Sequence, residues 1–469
     1  MTPPRPFAHQ LTSIKHNDKS EIVFDCSDPG TGKTFVRIAG FAKRLAKGSG
    51  CLLVLAPRSL LRSVWVNDFK KFAPHLTVVV ADAANRAEAF NTDADVYVTN
   101  VDAVKWLALQ KPAFFKKFSE LVVDESTAYK HHTSARSKAA AKIAKYFTHR
   151  CCMTGTPNGN SITDIWHQVQ ILDAGHRLGF SFYKFRDAVC TPTQVGRIAQ
   201  AVKWTDKEGA EEAVFGLLSD IVVRHKFDDC VDIPPNHRYA VDYDLTAKQL
   251  RTYLELENTQ MLALGKTNIT AINAAAVRTK LLQIASGAVY DGSGGHVIVD
   301  RARYELVLDL VEQRKHSLVF FLWKHQRDLL VEEAEKRGLT FCVIDGSTSD
   351  RDRDEMVKGY QAGVYKVMFA HPKSAAHGLT LTKGTATIWS SPTDDLEIFE
   401  QGSKRQHRMG QTEKTETIVV IAKSTFDEKV WDNMLSKGKR MSNLLDLFGT
   451  LTVVAAKPAT KKKKVMEAA

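Results

Sequence analysis

Short apolar runs alternate with helical stretches through the first third of the chain. The strand-like runs lie at 21–26, 51–57, 77–81, 96–100, 121–124 and 150–153. A continuous apolar run is typical of a strand buried on both faces, and strands separated by helices are typical of a parallel sheet between two helical layers. This region of the chain therefore predicts an α/β block.

The same alternation returns in the last third, whereas the middle of the chain loses it. The later runs lie at 318–323, 341–344, 366–370, 386–389 and 417–421. Between 159 and 295 the pattern is mainly helical, with turn residues at 232–235 and 287–295. We expect an α/β protein with two doubly wound parallel-sheet lobes and a helical insertion between them. The predicted divisions are a first lobe at 1–160, a helical insertion and interlobe connection at 161–295, a second lobe at 296–450 and a basic, disordered tail at 451–469.

Charge adds a possible partner to this picture. The chain has 469 residues and a formal net charge of +12, of which the lysine-rich segment 457–469 contributes four and the rest eight. A positive excess suits a polyanion such as nucleic acid, although a generally basic soluble protein is the alternative. The tail is either an electrostatic tether to DNA or a solvated end.

Membrane insertion and a disulfide framework are not predicted. No apolar run approaches the roughly 18 residues that a membrane span needs, and the first residues lack a signal-peptide pattern. The seven cysteines are odd in number and contain no C-x-x-C pair. Reduced thiols in a cytoplasmic compartment, without structural zinc, are the expectation, and the adjacent Cys151 and Cys152 are interpreted as core residues.

The string SDPGTGKT at 27–34 has the pattern of a phosphate-binding loop between a strand and a helix. Glycines let backbone N–H groups close on phosphate oxygens, and the helix N-terminus adds a positive dipole. Lys33 would reach the β and γ phosphates, and the Thr34 hydroxyl would bind Mg²⁺. The loop residues expected to contact ATP are Asp28, Pro29, Gly30, Thr31, Gly32, Lys33 and Thr34.

A pair of carboxylates follows the apolar run at 121–123. Asp124 would hold the Mg²⁺ through water, and Glu125 would orient and deprotonate the attacking water. Both this pair and the phosphate loop fall where strands end, which is the edge at which open α/β sheets bind ligands. Together the two motifs predict a nucleoside triphosphatase. They do not show whether the protein is a motor, a kinase or a transporter.

Further strings follow in a fixed order along the chain. In its first half they are FAHQ at 7–10, LAPRSLL at 55–61 followed by Trp65 and Phe69, VTNVD at 98–102, DEST at 124–127 followed by Lys130, MTGTPN at 153–158 and RHK at 224–226. In its second half they are DGST at 345–348 with Arg351 and Arg353, HGLTLT at 377–382 and EQGSKRQHRMGQ at 400–411. This series resembles the motifs of superfamily-two helicase-like ATPases, and most closely those of the Swi/Snf-type DNA translocases in their compact bacterial or bacteriophage form.

The resemblance implies two RecA-like lobes and a role for each motif. Gln10 would pair with the adenine edge, and Gly378 and Gln401 would also belong to the ATP site. Arg405 and Arg408, spaced to share one helix face, would act as arginine fingers on the γ-phosphate. The remaining implied roles are coupling of hydrolysis to movement by Thr154, Gly155 and Thr156, and DNA contacts by Arg58, Ser59, Thr99 and Lys373. Trp65 is interpreted as a core aromatic, the commoner role for such a residue.

Several positions depart from the family's pattern. Thr127 stands where His or Gln is usual, and Thr380 stands in place of Asn. The Trp-Asn-Pro that precedes the last motif is replaced by SPTDD at 391–395, and a Ser-x-Lys by DRAR at 300–303. These departures remove no group needed for hydrolysis, so they concern coupling and the path of the DNA.

The resulting expectation is a DNA-dependent ATPase that uses ATP and Mg²⁺ to move along DNA, preferably duplex, in replication, repair or remodelling. Contacts to phosphates would make binding independent of sequence. We expect a cytoplasmic monomer of a bacterial cell or phage-infected host, with a recruiting protein as a further partner. Two alternatives stay open: a helicase that separates strands of DNA or RNA, for which no obvious wedge hairpin is seen, and an ATP-gated DNA-binding scaffold with little motor activity.

Overall fold

The computed structural model describes residues 5–194, 202–266, 271–291, 294–375 and 379–456. The chain divides into two compact units. The first unit contains residues 1–230 together with the chain from Lys439 onward, and the second unit contains Val231–Gly438. Among the described residues, no helix combines the length and the apolar character that a membrane span requires.

A parallel sheet forms the centre of the first unit. Its strands are β1 (Ile22–Asp25), β2 (Cys51–Ala56), β3 (Val78–Ala81), β4 (Val96–Asn100), β5 (Phe118–Asp124), β6 (His149–Met153) and, after an antiparallel pair formed by β7 (Cys190–Gln194) and β8 (Val202–Asp206), β9 (Val222–Val223). Within the described residues the order across the sheet is β3-β4-β2-β5-β6-β1-β9. Leu52, Val54, Val98 and Val122 lie in its core, so the predicted buried α/β lobe is confirmed.

Helices cover this sheet. The helix that follows the phosphate loop starts after Gly32, whose φ of +84° is in the left-handed region that favours glycine. The helices are α1 (Ala8–Asn17), α2 (Lys33–Leu45), α3 (Asn67–Phe72), α4 (Arg86–Asn91), α5 (Val104–Leu107), α6 (Ala135–Ala144), α7 (Asp164–Asp173), α8 (Phe182–Val189), α9 (Ala210–Leu218) and α10 (Phe227–Cys230). A wide π-type turn at Leu61–Val66 precedes α3, and 3₁₀ turns lie at Val101–Ala103, Pro112–Lys117 and Ser126–Tyr129.

The second unit repeats the architecture. Its parallel strands are β10 (Asn236–Tyr243), β13 (Ser317–Phe320), β14 (Phe341–Ile344), β15 (Val367–Ala370), β16 (Ala386–Trp389) and β17 (Thr415–Ala422), with a short antiparallel pair of β11 (Ala288–Tyr290) and β12 (His296–Ile298). Within the described residues the order is β10-β17-β16-β13-β15-β14. The helices are α11 (Ala247–Lys266), α12 (Ala271–Ala285), α13 (Ala302–Glu312), α14 (Lys324–Lys336), α15 (Asp350–Gln361), α16 (Pro372–Ala375), α17 (Leu396–Ser403) and α18 (Phe426–Ala456).

The segment predicted as a helical insertion, 161–295, supplies an edge strand to each sheet. β9 pairs with β1, and β10 pairs with β17 along eight residues. The units consequently divide at Cys230 and Val231 and not at 295. The apolar pattern missed both strands for physical reasons: β9 has two residues, and β10 mixes polar and apolar residues because it lies at the edge of its sheet.

The pair β7–β8 is a hairpin-like element that the pattern did not indicate. Its residues are mostly exposed and polar, so there is no apolar alternation to detect. Asp206 anchors its base, since the carboxylate accepts hydrogen bonds from the Ser161 hydroxyl at 2.6 Å and from the Ile162 N–H at 3.1 Å.

The last helix ends beyond the predicted second lobe. α18 continues to Ala456, six residues into the segment predicted as a disordered tail, and 457–469 lie outside the described residues. From Lys439 onward the helix packs within the first unit, where Leu444 is buried and Asp446 forms an ion pair of 2.8 Å with Lys226.

Candidate active site

The phosphate loop lies between β1 and α2, as the sequence predicts. Gly30 and Gly32 both have positive φ, and a Cβ at residue 32 would collide with the Gln10 amide. The Lys33 ammonium donates hydrogen bonds to the carbonyl of Ser27 at 2.6 Å and to that of Asp28 at 3.2 Å. The cation is therefore held over the loop itself, within reach of any phosphate that the loop binds.

The string at 224–226 supports this loop from a distant segment of the chain. Arg224 Nη1 donates to the Asp28 carboxylate at 2.6 Å, and the Phe227 N–H donates to the other oxygen at 2.9 Å. The Asp28 N–H in turn donates to the His225 carbonyl. Both the backbone and the carboxylate of Asp28 are thus engaged by this segment. The structure gives Asp28 a role in holding the loop, which differs from the predicted contact with ATP.

The hydroxyl of Ser27, the first residue of the loop, also has a structural role. Ser27 Oγ accepts a hydrogen bond from the His225 N–H at 3.1 Å. A Cβ at Gly30 would lie 2.9 Å from the Phe227 ring. The loop conformation is therefore set partly by residues about 200 positions later, which no local pattern could reveal.

Gln10, on α1, also contacts the loop. Its amide oxygen accepts from the Phe7 N–H at 3.0 Å, and its amide nitrogen donates to the Thr31 carbonyl at 3.3 Å. His9 reaches the same carbonyl through Nε2 at 2.8 Å. The predicted pairing of Gln10 with adenine stays a prediction, and the geometry places the amide beside Gly32.

The two carboxylates emerge at the end of β5, at the same edge of the sheet as the loop. β1 and β5 both pair with β6, and Asp25 and Asp124 both align with Met153. Glu125 follows with a φ of +53°, an unusual backbone conformation for a residue with a side chain. Such a conformation turns the chain sharply as it leaves the strand and is often found at functional sites.

Asp124 has a partner that the sequence did not indicate. The Trp65 indole N–H donates to Asp124 Oδ2 at 2.9 Å, and the indole is fully buried in the π-type turn at Leu61–Val66. Burial raises the pKa of Asp124, which the bond from Trp65 opposes. Trp65 is a core residue, as interpreted, and its indole N–H also orients the carboxylate of Asp124. The only available signal was that a buried indole N–H needs an acceptor.

Asp25, at the end of β1, is a second residue that sequence reasoning missed. Burial alone would raise its pKa, but Arg37 and Lys33 hold the pKa of Asp25 below its ordinary value. Arg37 Nη2 lies 3.2 Å from the carboxylate, and the Ser27 N–H also donates to it. The main-chain carbonyl of Asp25 accepts a hydrogen bond from the Thr154 N–H at 3.0 Å. Asp25 therefore joins the phosphate loop to the segment predicted to couple hydrolysis to movement.

That coupling segment lies directly beside the loop. Thr154 is buried, and its hydroxyl accepts from the Thr156 N–H at 3.0 Å. A Cβ at Gly155 would lie 2.9 Å from Pro29 Cδ, so this position admits no larger residue without movement of the loop. The structure thus brings Thr154, Gly155 and Thr156 together with the nucleotide loop.

In the second unit, Arg405 and Arg408 do not share a helix face. α17 ends at Ser403, and the chain turns away because the Arg405 carbonyl accepts from the Leu381 N–H at 2.9 Å. The two guanidiniums nevertheless converge, since both donate to the Leu379 carbonyl, at 3.2 Å from Arg405 and 2.8 Å from Arg408. Arg405 is buried and Arg408 is half-buried. Gln401 is buried in α17, and Gly378 lies outside the described residues.

The four residues predicted to contact DNA differ in their exposure. Arg58 and Lys373 are exposed, and Ser59 is half-buried. Thr99 is fully buried, and its hydroxyl donates to the Ala81 carbonyl. The prediction for Thr99 is therefore wrong for its side chain, because this side chain is buried and bonded to β3 although the residue is the penultimate one of β4.

Two departures from the family pattern form one buried cluster in the second unit. Arg303, 1 % exposed, donates to the Ser390 carbonyl at 2.9 Å and to the Ser391 hydroxyl at 2.7 Å. It also pairs with Asp427 at the start of α18. The changes at 300–303 and 391–395 thus meet in the core of this unit, where an arginine joins three segments.

The comparisons with known proteins agree with these features. A model of the SNF2-related domain matches residues 10–287, and one of the helicase conserved C-terminal domain matches residues 302–410. The chain is 29 % identical over 467 residues to protein p41 of Acyrthosiphon pisum secondary endosymbiont phage 1, covering 94 % of this chain and 98 % of that protein.

Longer relatives match over only a portion of their length. A human SWI/SNF-related, matrix-associated, actin-dependent regulator of chromatin, subfamily A member 1, is 24 % identical, and the match covers 90 % of this chain but 41 % of that protein. A solved structure, the Sulfolobus solfataricus SWI2/SNF2 ATPase core in complex with dsDNA, covers 97 % of this chain and 95 % of its own, at 20 % identity and a TM-score of 0.45.

Proposed function

Because the chain belongs to the SNF2-related family of helicase-like ATPases, we propose that it is an ATP-driven motor that moves along duplex DNA. The observation that supports this most is the meeting of three motifs at one edge of the first sheet. The phosphate loop, the Asp124–Glu125 pair and the Thr154–Thr156 segment are joined through Asp25, Pro29 and Gly155.

The ATP site follows from the residues at this edge. Backbone N–H groups of the loop and the Lys33 ammonium bind the phosphates. Thr34 and Asp124 offer hydroxyl and carboxylate oxygens, the hard ligands that Mg²⁺ prefers, and the bond from Trp65 engages Oδ2 of that carboxylate. These two residues would hold the ion, whose charge would neutralise the β and γ phosphates.

Hydrolysis is assigned to Glu125. Its carboxylate takes a proton from the attacking water as the water oxygen bonds to the γ-phosphorus, and the bond to the β-phosphate oxygen breaks to leave ADP and inorganic phosphate. Arg408 stabilises the charge that develops on the γ-phosphate. Arg405, buried and bonded to the Gln401 and Leu379 carbonyls, holds the segment that carries it.

DNA is the proposed track because the chain has an excess of positive charge, and Arg58 and Lys373 are exposed. Contacts of this kind reach phosphates, so binding would be independent of sequence and sensitive to salt. We further propose that the motor acts as a monomer in the cytoplasm of a bacterial or phage-infected cell, with a recruiting protein as an additional partner.

A strand-separating helicase, acting on DNA or RNA, is the second candidate. The observation in its favour is the exposed pair β7–β8, in which the Trp204 ring lies 3.6 Å from the Arg186 guanidinium. An exposed hairpin with an aromatic residue could force the strands of a duplex apart. A strand-displacement assay in which the wild type separates no strands would remove this candidate, and an unchanged rate in Trp204→Ala would remove the role of the β7–β8 pair in it.

The first experiment measures steady-state ATP hydrolysis at one salt concentration, without nucleic acid and with single-stranded DNA, duplex DNA or RNA. We expect strong stimulation by duplex DNA. Stimulation by single strands or RNA alone would favour the helicase, and the absence of stimulation by all three would overturn the motor in favour of an ATP-gated scaffold.

A further inference from the structure

A buried amide joins the end of β5 to the coupling segment. Gln168 lies on α7, and both it and Ser126 are fully buried. The Ser126 hydroxyl donates to Gln168 Oε1 at 2.6 Å. Gln168 Nε2 donates to the Pro157 carbonyl at 2.8 Å and to the Asp164 carbonyl at 2.9 Å. One side chain therefore connects the residue after Glu125 to the residue after Thr156.

Every hydrogen-bonding group of the Gln168 amide has a partner. A glutamine side chain has one oxygen acceptor and two N–H donors, and here each of these groups has a partner. Burying an amide is costly unless its hydrogen bonds are satisfied, and a leucine of similar size at this fully buried position would avoid that cost. A leucine could not hold Ser126 and Pro157 at a fixed separation, and the Gln168 amide does so through its hydrogen bonds.

The connection through Gln168 extends to the phosphate loop. Pro157 follows the segment in which Gly155 packs against Pro29, and the Thr154 N–H bonds to the Asp25 carbonyl. A displacement of the backbone at Glu125 would therefore move Pro157 through the hydrogen bonds of Ser126 and Gln168. This connection does not require a contact with ATP. The connection lies wholly within the first unit.

We propose that Gln168 is a positioning residue that couples the Asp124–Glu125 carboxylates to the Thr154–Pro157 segment, so that hydrolysis responds to bound DNA. This rests on the proposed function, since it needs an ATPase that DNA stimulates. Gln168 touches neither ATP nor DNA in this role and acts through Ser126 and Pro157.

The test compares Gln168→Leu, Ser126→Ala and the double variant in full-length protein. For each, kcat and the KM for ATP are measured with and without duplex DNA. Changes along a coupling network amount to roughly 2- to 30-fold, so we expect the stimulation ratio to fall about tenfold in Gln168→Leu. Ser126→Ala should lower it about threefold, and the double variant should be no worse than Gln168→Leu, because the two changes remove one shared connection.

The matched control is Gln170→Leu. Gln170 lies on the same helix, but its amide bonds to the Gly179 carbonyl, away from the coupling segment. We expect this variant to keep the stimulation ratio of the wild type. Melting temperatures are measured for every variant, and Ser126→Ala, the smallest change, keeps the test valid if Gln168→Leu does not fold.

Several outcomes would overturn the inference while leaving the motor intact. These are a wild-type stimulation ratio in both Gln168→Leu and Ser126→Ala, an equal loss in Gln170→Leu, or effects of the two single variants that multiply in the double variant. A wild type that no nucleic acid stimulates is a different result, because it overturns the proposed function itself.

Discussion

The two units hold the side chains of their predicted site residues in different ways. In the first unit, Asp124 lies at a strand end and is held by a side chain from a distant segment, Trp65. In the second unit, Arg405 and Arg408 lie in turns and are held by main-chain carbonyls, above all that of Leu379. The first arrangement depends on buried side-chain partners, whereas the second depends on the path of the backbone.

This difference has a consequence for mutation. Where side chains hold one another, a conservative change at the supporting residue alters the site while the fold remains. Where carbonyls hold a buried arginine such as Arg405, removal of the arginine also lowers stability, whereas removal of the half-buried Arg408 leaves the Leu379 carbonyl bonded to Arg405. The following predictions test that contrast.

The largest effect is expected for Glu125→Gln. The amide cannot take the proton from water, so kcat should fall about 10³-fold, with little change in the KM for ATP. Steady-state hydrolysis with duplex DNA measures both constants. Glu88→Gln, at an exposed position of α4, is the control and should behave as the wild type. A fall of less than tenfold in Glu125→Gln would assign the general base to another residue.

Arg408→Ala and Arg405→Ala separate chemistry from support in the second unit. Loss of one group that stabilises transition-state charge lowers kcat about 10²-fold, which we expect for Arg408→Ala with a melting temperature near that of the wild type. Arg405→Ala removes a buried guanidinium that donates to the Gln401 and Leu379 carbonyls, of which only the Leu379 carbonyl keeps the bond from Arg408, and should also lower the melting temperature by several degrees. Equal melting temperatures for the two variants would contradict the assignment of Arg405 as the supporting residue.

Arg224→Leu tests the distant support of the phosphate loop. The variant loses the charge-assisted bond to Asp28, which should raise the KM for ATP about tenfold. The kcat at saturating ATP should change much less, because Glu125 and Asp124 are untouched. Arg62→Leu, at a largely exposed arginine, is the control. An unchanged KM in Arg224→Leu would show that the loop holds its shape without this segment.

Trp65→Phe removes one hydrogen bond and retains most of the packing. A net hydrogen bond of about 0.5–1.5 kcal/mol corresponds to a fall in kcat of about fivefold. Phe69→Leu, in the same core cluster but without a polar contact to Asp124, provides the comparison. If both variants lower kcat equally, packing and not the indole N–H positions the carboxylate.

The smallest effect concerns a turn in the second unit. Partial burial opposes the charge on Asp345, but bonds from Ser347 and Arg327 lower the pKa of Asp345 to about 2. Because the folded pKa lies below the unfolded value of about 3.9, this contribution to stability is present above about pH 4 and is lost as the pH falls towards 2. The free energy of unfolding of Asp345→Asn should therefore differ from that of the wild type at pH 7, and the difference should shrink below pH 4 towards pH 2. A constant difference between these pH values would contradict the ionic cause.

The elements of the site that the sequence predicted share one property. The phosphate loop, Asp124 and Glu125 are recognised from neighbours in the chain: an apolar strand before them and, for the loop, a helix after it. Thr99 shows the limit of that approach. It follows an apolar run like the others, but the residue lies within the strand, so its side chain is buried and cannot meet DNA.

The sequence by itself determined the two α/β lobes, the position of the phosphate loop between a strand and a helix, and the Asp124–Glu125 pair at a strand end, because apolar periodicity and local motifs are properties of contiguous residues. Only the tertiary structure decided that Arg224 supports the loop, that Trp65 orients Asp124 and that Gln168 joins two motifs. It also assigned β9 and β10 to the edges of different sheets. Each of these is a contact between segments far apart in the chain, and its partners are selected by packing geometry, which no local pattern encodes.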